Sequence, residues 1–205
     1  MFRNRKVLIP YLLLVAALAG VLLWHQSRQA TGPGQAVSTG AMAVGGDFTL
    51  TDQDGKRRTS TEFRAKYMLI YFGFTSCPDV CPTTLAVMAE ALEKMGADAA
   101  KIVPILITID PERDNPKLMK SYVEGFGAEF IGFTGTVAEI EAVKKLYRVY
   151  GAKKALDEAK GMAGGYGVDH SSVIYLMGPD GKIVSYYDEL IPAAKLEAEL
   201  RTKVK

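Results

Sequence analysis

The sequence predicts an α/β fold in which a mixed β-sheet is flanked by helices. Two continuous apolar runs, Tyr67–Phe74 and Ile102–Ile109, have the length and composition of strands that are buried on both faces. Segments with helical spacing of apolar residues follow each run, and the chain closes on two short strands and a helix. Strands that alternate with helices in this way are typical of a layered α/β domain.

The elements of the first half are defined by apolar runs and by the residues that interrupt them. A short strand at Phe48–Leu50 precedes a turn at Asp52–Gly55. After the strand Tyr67–Phe74, a helix begins near Pro82, which suits a first helical position, and it ends at Gly96. The inward stripe of this helix consists of Leu85, Met88, Leu92 and Met95.

Two further helices are predicted after the second buried strand. The first begins at Asn115 and Pro116 and runs to about Glu124. The second begins at a capping box that Thr136 and Glu139 form, because these residue types at this spacing satisfy each other's backbone amides. Its inward-facing residues are predicted to be Ile140, Val143, Tyr147 and Tyr150.

The last part of the chain contains an insertion and a hairpin. Residues 151–167 are rich in Lys, Ala and Gly without clear periodicity, which predicts an exposed insertion. Two short strands, Val173–Met177 and Ile183–Tyr187, flank a Gly-Pro-Asp-Gly turn and predict a hairpin. A terminal helix begins near Pro192. With the short strand Phe130–Phe133, this order of elements is that of a thioredoxin-like fold.

A membrane anchor is predicted ahead of this domain. The run Val7–Trp24 contains no charge, and as a helix it would be about 27 Å long against a hydrocarbon core of about 30 Å. Arg3, Arg5 and Lys6 precede it, so the amino terminus is expected in the cytoplasm, with the rest of the chain exported from the inner membrane into the periplasm or an equivalent compartment. A cleaved signal peptide is the alternative, although no Ala-x-Ala site is well placed for it.

The predicted organisation is an N-terminal transmembrane helix at residues 1–24, a flexible linker at residues 25–45 and one folded domain at residues 46–205. A chain of 205 residues is long enough for one ordinary domain with an appendage. The linker is rich in Gly, Ala, Ser and Gln and has no apolar period. The net charge of +2, with no basic cluster beyond the amino terminus, gives no sign of a nucleic-acid surface.

The two cysteines of the chain, Cys77 and Cys81, directly follow the first buried strand. In open α/β sheets, functional groups gather beyond the carboxyl ends of strands. The positive end of the helix that begins near Pro82 favours thiolate over thiol, so both sulfurs are expected to be good nucleophiles or ligands. In an exported domain such a pair is a disulfide, a redox couple or a metal site, and the spacing alone does not choose among these.

His170 is one of two histidines, and the other, His25, lies beside the predicted membrane span. His170 stands just before the strand Val173–Met177, which a thioredoxin-like topology places beside the cysteine segment. A histidine that only caps a loop is the alternative. Two thiolates and one imidazole are too few for a structural zinc site, whereas they suit a copper ion, as Cu(I) or Cu(II).

Three segments carry a family resemblance: FGFTSCPDVCPTTL, which contains both cysteines, then TIDPERD, then DHSSVIYLMGPDG. Over about residues 45–204 the chain resembles the Sco (SenC, PrrC) family of membrane-anchored copper chaperones. The resemblance implies a thioredoxin-like domain that binds copper through Cys77, Cys81 and His170. It also implies that the domain assists assembly of the dinuclear copper centre of cytochrome c oxidase subunit II.

The resemblance further implies partners and one more site residue. Asp110, in TIDPERD, matches a family carboxylate near the site, although Asp before Pro is also a common turn residue. The expected partners are subunit II or a similar copper acceptor, an upstream periplasmic copper donor, and the membrane through the N-terminal helix.

The alternative function is that of a membrane-anchored thiol:disulfide oxidoreductase that keeps the acceptor's cysteines reduced. Cys77 or Cys81 would be the attacking thiolate, and the other the resolving thiol. No Trp-Cys-x-x-Cys motif is present, and His170 would have no role in that chemistry. A copper chaperone is therefore the prediction that we carry forward.

Overall fold

The computed structural model describes residues 44–127, 129–155, 166–170 and 173–205, with backbone alone at 153–155, 166–167 and 169–170. The predicted membrane anchor and nearly all of the predicted linker lie outside these residues. Across the part of the chain that is described, we find no helix with both the length and the apolar character needed to cross a membrane.

Nine strands occur in the described residues. In chain order they are β1 (Thr49–Asp52), β2 (Arg57–Thr59), β3 (Tyr67–Gly73), β4 (Ile102–Thr108), β5 (Ile131–Thr134), β6 (Gly151–Ala155), β7 (Tyr166–His170), β8 (Val173–Met177) and β9 (Ile183–Asp188). Seven of them form one mixed sheet in the order β2-β1-β5-β4-β3-β8-β9, in which β3, β4 and β5 are parallel. The strands β6 and β7 form a separate antiparallel pair.

Four α-helices flank the sheet, namely α1 (Val80–Met95), α2 (Pro116–Glu124), α3 (Val137–Tyr147) and α4 (Ala193–Lys203). Successive side chains of β3 point to opposite faces. Tyr71 reaches α1 through a contact between its hydroxyl and Cys81, whereas the ring of Phe72 lies 5.3 Å from that of Tyr147 on α3. The helices α1 and α3 therefore cover opposite faces of the sheet, which confirms the predicted α/β class.

The central strands are continuous apolar runs because helices cover both of their faces. Every residue from Ile105 to Ile107 is fully buried, and Ile105 pairs with Ile70 in the parallel ladder between β3 and β4. The predicted stripe of α1 is also confirmed, since its four members have at most 5% of their surface exposed. The capping box of α3 forms as predicted, with Thr136 and Glu139 each accepting from the other's backbone amide.

Two predicted details are wrong. Residues 151–167 are not simply an insertion, because the strand β6 lies at its start and the strand β7, which ends at His170, begins at its end. A two-stranded ribbon needs no buried face, so no apolar alternation marks it in the sequence. Tyr150 is 63% exposed, because α3 ends at Tyr147 and Arg148 turns the chain away with φ 56°.

Candidate metal centre

Both sulfurs lie at the carboxyl end of β3, in a turn that leads directly into α1. The amide of Cys77 donates a hydrogen bond to the carbonyl of Phe74 (3.2 Å), which closes the turn. The amide of Cys81 then points at the Sγ of Cys77 across 3.5 Å. The two thiols are reduced, because no disulfide joins them. The structure thus brings the two predicted sulfur ligands together at one site.

The helix α1 begins at Val80, two residues before the predicted start at Pro82, so Cys81 lies inside its first turn. This position turns the Cys81 side chain inward, where it is completely buried, while Cys77 keeps 9% of its surface exposed. Asp79, the residue just before the helix, is exposed and makes no side-chain capping bond. Cys77 is therefore the more exposed of the two cysteines.

Gly73 makes room for the Cys81 sulfur at the end of β3. A Cβ atom at this position would lie 3.0 Å from the Sγ of Cys81 and 2.9 Å from the Cε1 of Tyr71. Carbon and sulfur atoms do not approach so closely without displacement of one of them. The sequence Phe-Gly-Phe at the strand end is consequently part of the thiol site, although no chemical group of Gly73 takes part in it.

The Cys81 thiol is a weaker acid here than an ordinary cysteine. The pKa of Cys81 is raised well above its ordinary value, first by its hydrogen bond with Cys77 and then by burial. The Phe74 backbone and the Tyr71 hydroxyl, 3.7 Å from the sulfur, offset this only in part. The expectation that both sulfurs favour the thiolate is therefore wrong for Cys81, because burial penalises a second negative charge beside Cys77.

The loop between β3 and α1, residues 74–79, is called the thiol loop here because it carries Cys77 and leads into Cys81. A buried carboxylate, that of Asp114, holds this loop in place. Its oxygens accept hydrogen bonds from the Thr75 amide (3.0 Å), the Thr75 hydroxyl (2.5 Å) and the Thr108 hydroxyl (2.6 Å). Its own carbonyl accepts from the hydroxyl of Thr134 (2.6 Å). Burial raises the pKa of Asp114, while the bonds from Thr108 and Thr75 oppose that rise. One residue thereby connects the carboxyl ends of β3, β4 and β5.

Asp114 ends the TIDPERD segment, but no local pattern predicts a role for it. The family resemblance predicts a role for Asp110 instead, which is 1% exposed and forms an ion pair with the Nε of Arg113. The guanidinium of Arg113 in turn lies over the ring of Phe74, 5.8 Å from its centroid. Asp110 therefore contacts the thiol loop through Arg113.

The backbone of His170 lies at the base of the β6–β7 pair. Its Cα pairs with that of Gly151, and the space beside Gly151 is bounded by the side chain of Ile109, 3.6 Å from where a Cβ would stand. Ile109 in turn donates its amide to the carbonyl of Gly73 (2.8 Å) at the end of β3. The imidazole lies outside the described side chains, and those that are described include no cluster of three or more metal-binding groups.

Two polar groups that sequence reasoning missed lie within electrostatic range of the thiols. Burial raises the pKa of Tyr122, and the charges of Cys81 and Cys77 raise it further. Burial also raises the pKa of Glu189, with added contributions from Asp188 and Cys77. The Tyr122 hydroxyl and one oxygen of Glu189 are buried without a hydrogen-bond partner among the described residues. No local sequence pattern marks either group.

Fold and site together define a thioredoxin-like domain that carries a reduced Cys-x3-Cys pair at the carboxyl end of a central parallel strand. The sequence model of the SCO1/SenC family matches residues 36–205. The chain therefore belongs to the SCO1/SenC family. It is 36% identical over 168 residues to the human mitochondrial protein SCO1 homolog, which covers 81% of this chain. The chain spans 54% of that relative, so it corresponds to about half of the human protein's length.

Solved structures agree with this assignment. The copper-bound structure of Bradyrhizobium japonicum ScoI is 43% identical with a TM-score of 0.71, covering 78% of this chain and 99% of that one. The copper-bound ScoI of Arabidopsis thaliana is 37% identical with a TM-score of 0.73, covering 79% and 98%. BsSco, a member of the Sco family of cytochrome c oxidase assembly proteins in which a disulfide switch was identified, is 25% identical with a TM-score of 0.61, covering 80% and 95%.

Proposed function

We propose that this chain is a copper chaperone that binds Cu(I) or Cu(II) through Cys77, Cys81 and His170. It delivers the ion for assembly of the dinuclear copper centre of cytochrome c oxidase subunit II. The observation that carries the proposal is the reduced thiol pair, with Cys81 N–H 3.5 Å from the Cys77 sulfur, at the carboxyl edge of the sheet. Copper bound to two similar chains, and the assembly role of BsSco, support it.

The donor set suits this cargo. Thiolates are soft ligands that favour Cu(I), and imidazole also accepts Cu(II). The raised pKa of Cys81 shows that the protein environment alone disfavours two adjacent negative sulfurs. A bound cation removes that penalty, so metal binding and loss of the thiol protons are coupled. Asp110, together with Arg113, is proposed to orient the groups around the ion from behind the thiol loop.

Three protein ligands leave room for transfer. An acceptor's thiolate or imidazole can approach the ion before the donor's ligands leave, which a closed four-ligand site does not allow. Cys77, which is partly accessible, is the ligand beside which the acceptor enters, while the completely buried Cys81 stays on the protein side. The N-terminal anchor at residues 1–24 would hold the domain on the periplasmic side of the inner membrane, where subunit II and an upstream copper donor are met.

Copper titration of the reduced full-length chain tests the proposal. His170→Ala is expected to weaken copper binding and to remove the nitrogen signature from the Cu(II) spectrum. The matched control is His25→Ala, the other histidine of the chain, which should leave both unchanged. Cys77→Ser and Cys81→Ser should each abolish tight Cu(I) binding. If the His170→Ala protein bound copper with the wild-type affinity and spectrum, the three-ligand site would be refuted.

A thiol:disulfide oxidoreductase is the second candidate, which the reduced, adjacent thiols and the disulfide switch of BsSco favour. The Cys77 thiolate would attack a disulfide of the acceptor, forming a mixed disulfide and releasing one acceptor thiolate. Cys81 would then attack the Cys77 sulfur, so that this chain ends oxidised by two electrons and the acceptor reduced. Rapid reduction of a model disulfide that does not respond to His170→Ala would favour this function over copper delivery.

A further inference from the structure

We propose that Lys144 is a positioning residue for the copper site, and that it acts by fixing the base of the β6–β7 pair that carries His170. The inference rests on the proposed function, because it concerns how the imidazole is held for the ion. It is carried by a buried ammonium group, by the carbonyl that this group binds, and by the strand pairing at that carbonyl.

Lys144 lies in the last turn of α3, and its side chain is only 6% exposed. Lysine is rarely buried, because removal of an ammonium from water costs several kcal/mol unless it is paired. Two contacts compensate here: the Nζ lies 2.5 Å from the Oε1 of Glu141 and donates to the carbonyl of Gly151 across 3.0 Å. The negative end of the α3 dipole adds a favourable field.

The carbonyl that Lys144 binds belongs to the first residue of β6. The Cα of Gly151 pairs with that of His170, so the contact of Lys144 is made at the rung of the ladder that holds the histidine. The same space beside Gly151 is bounded by the side chain of Ile109, whose amide donates a hydrogen bond to the carbonyl of Gly73 beside the thiols. The ammonium therefore connects the end of the β6–β7 pair that contains Gly151 and His170 to α3, near the edge of the sheet where the sulfurs lie.

Gly151 is closely fitted to the lysine. A Cβ at position 151 would stand 3.2 Å from the Cε and 3.3 Å from the Nζ of Lys144. Such a contact is tight, so a larger residue would push the end of the Lys144 side chain from its present position without any change of charge. The pair Lys144 and Gly151 thus offers two independent ways to disturb the same hydrogen bond.

The experiment compares copper binding by full-length variants. Lys144→Met keeps the volume of the stem and removes the ammonium, and Lys145→Met, at the exposed neighbouring position, is the matched control. We expect Lys144→Met to lower Cu(II) affinity about tenfold, the low end for loss of a group that orients a metal-bound histidine. Its Cu(II) spectrum should shift toward that of His170→Ala, whereas Lys145→Met should behave as wild type.

The outcomes separate the inference from the proposed function. Wild-type affinity and spectrum in Lys144→Met, with an altered spectrum in His170→Ala, would overturn the role of Lys144 and leave the copper site standing. An unaltered spectrum in His170→Ala would overturn both. If Lys144→Met does not fold, Gly151→Ala decides: a spectrum shifted toward that of His170→Ala supports the inference, and a wild-type spectrum refutes it.

Discussion

The hydrogen bonds that the Asp114 carboxylate accepts, which we call the Asp114 clamp, lead to a prediction about stability and its pH dependence. Asp114→Ala removes the acceptor of the Thr75 amide, the Thr75 hydroxyl and the buried Thr108 hydroxyl. A buried donor left without an acceptor costs about 1–3 kcal/mol, and the Thr108 hydroxyl and the Thr75 amide are both affected. We expect Asp114→Ala to lower the free energy of unfolding by about 3 kcal/mol, and Asp114→Asn, which keeps one acceptor, by about 1 kcal/mol.

The pH dependence has a definite sign. Burial raises the pKa of Asp114 above the ordinary value of 3.8, so the folded state holds the proton of this carboxyl more tightly than the unfolded chain does. The stabilisation that comes from this tighter proton binding is therefore complete below pH 3.8, and it is lost as the pH rises through the raised pKa of the folded state. The asparagine variant cannot ionise, so its deficit relative to wild type should be largest in acid and should shrink as the pH rises.

Urea denaturation of both variants across this pH range measures the effect. Asp54→Asn is the control, because the pKa of this exposed carboxyl is lowered by its hydrogen bond with Lys120 and the sign should reverse. A deficit of Asp114→Asn that is independent of pH or grows with it would refute the reasoning. So would an alanine variant as stable as wild type.

Three further predictions concern the thiol site and its scaffold. Gly73→Ala should destabilise the domain by about 1–3 kcal/mol in urea denaturation, because the added methyl overlaps the Tyr71 ring and the Cys81 sulfur. Alkylation of the reduced protein, followed by mass spectrometry, should label Cys77 before Cys81, since Cys81 is completely buried and its pKa is raised. Thr136→Ala should lower the free energy of unfolding by about 1 kcal/mol, because the α3 capping box with Glu139 is lost.

Each of these three predictions has a control variant or a result that would contradict it. Gly125→Ala, whose added methyl would meet only the Tyr122 carbonyl at 3.3 Å, should be milder than Gly73→Ala. Equal losses for the two glycines would mean that contact with the Tyr71 ring and the Cys81 sulfur is not the cause. Val137→Ala, at an exposed position beside the α3 cap, is the control for Thr136→Ala and should change the free energy of unfolding little. In the alkylation experiment, labelling of Cys81 before Cys77 would contradict the order of exposure.

The local sequence accounts for the scaffold and for the closeness of the two cysteines. Apolar runs identify β3 and β4, since strands covered on both faces consist almost entirely of apolar residues. The apolar stripe of α1 and the capping residues of α2 and α3 identify these helices, because such signals depend only on residues within a turn or two of one another. The closeness of Cys77 and Cys81 likewise follows from four steps along one chain segment.

Other features depend on contacts between residues that are distant along the chain, and no local pattern encodes such contacts. The pairing of β6 with β7, the bond from Lys144 to Gly151, and the Asp114 clamp are of this kind. The donor atoms proposed for copper, in Cys77, Cys81 and His170, can be read from the order of residues alone. Which of the two cysteines is buried, and which groups hold the loop that carries them, follows from the folded chain, because burial and hydrogen bonding are properties of the packed structure.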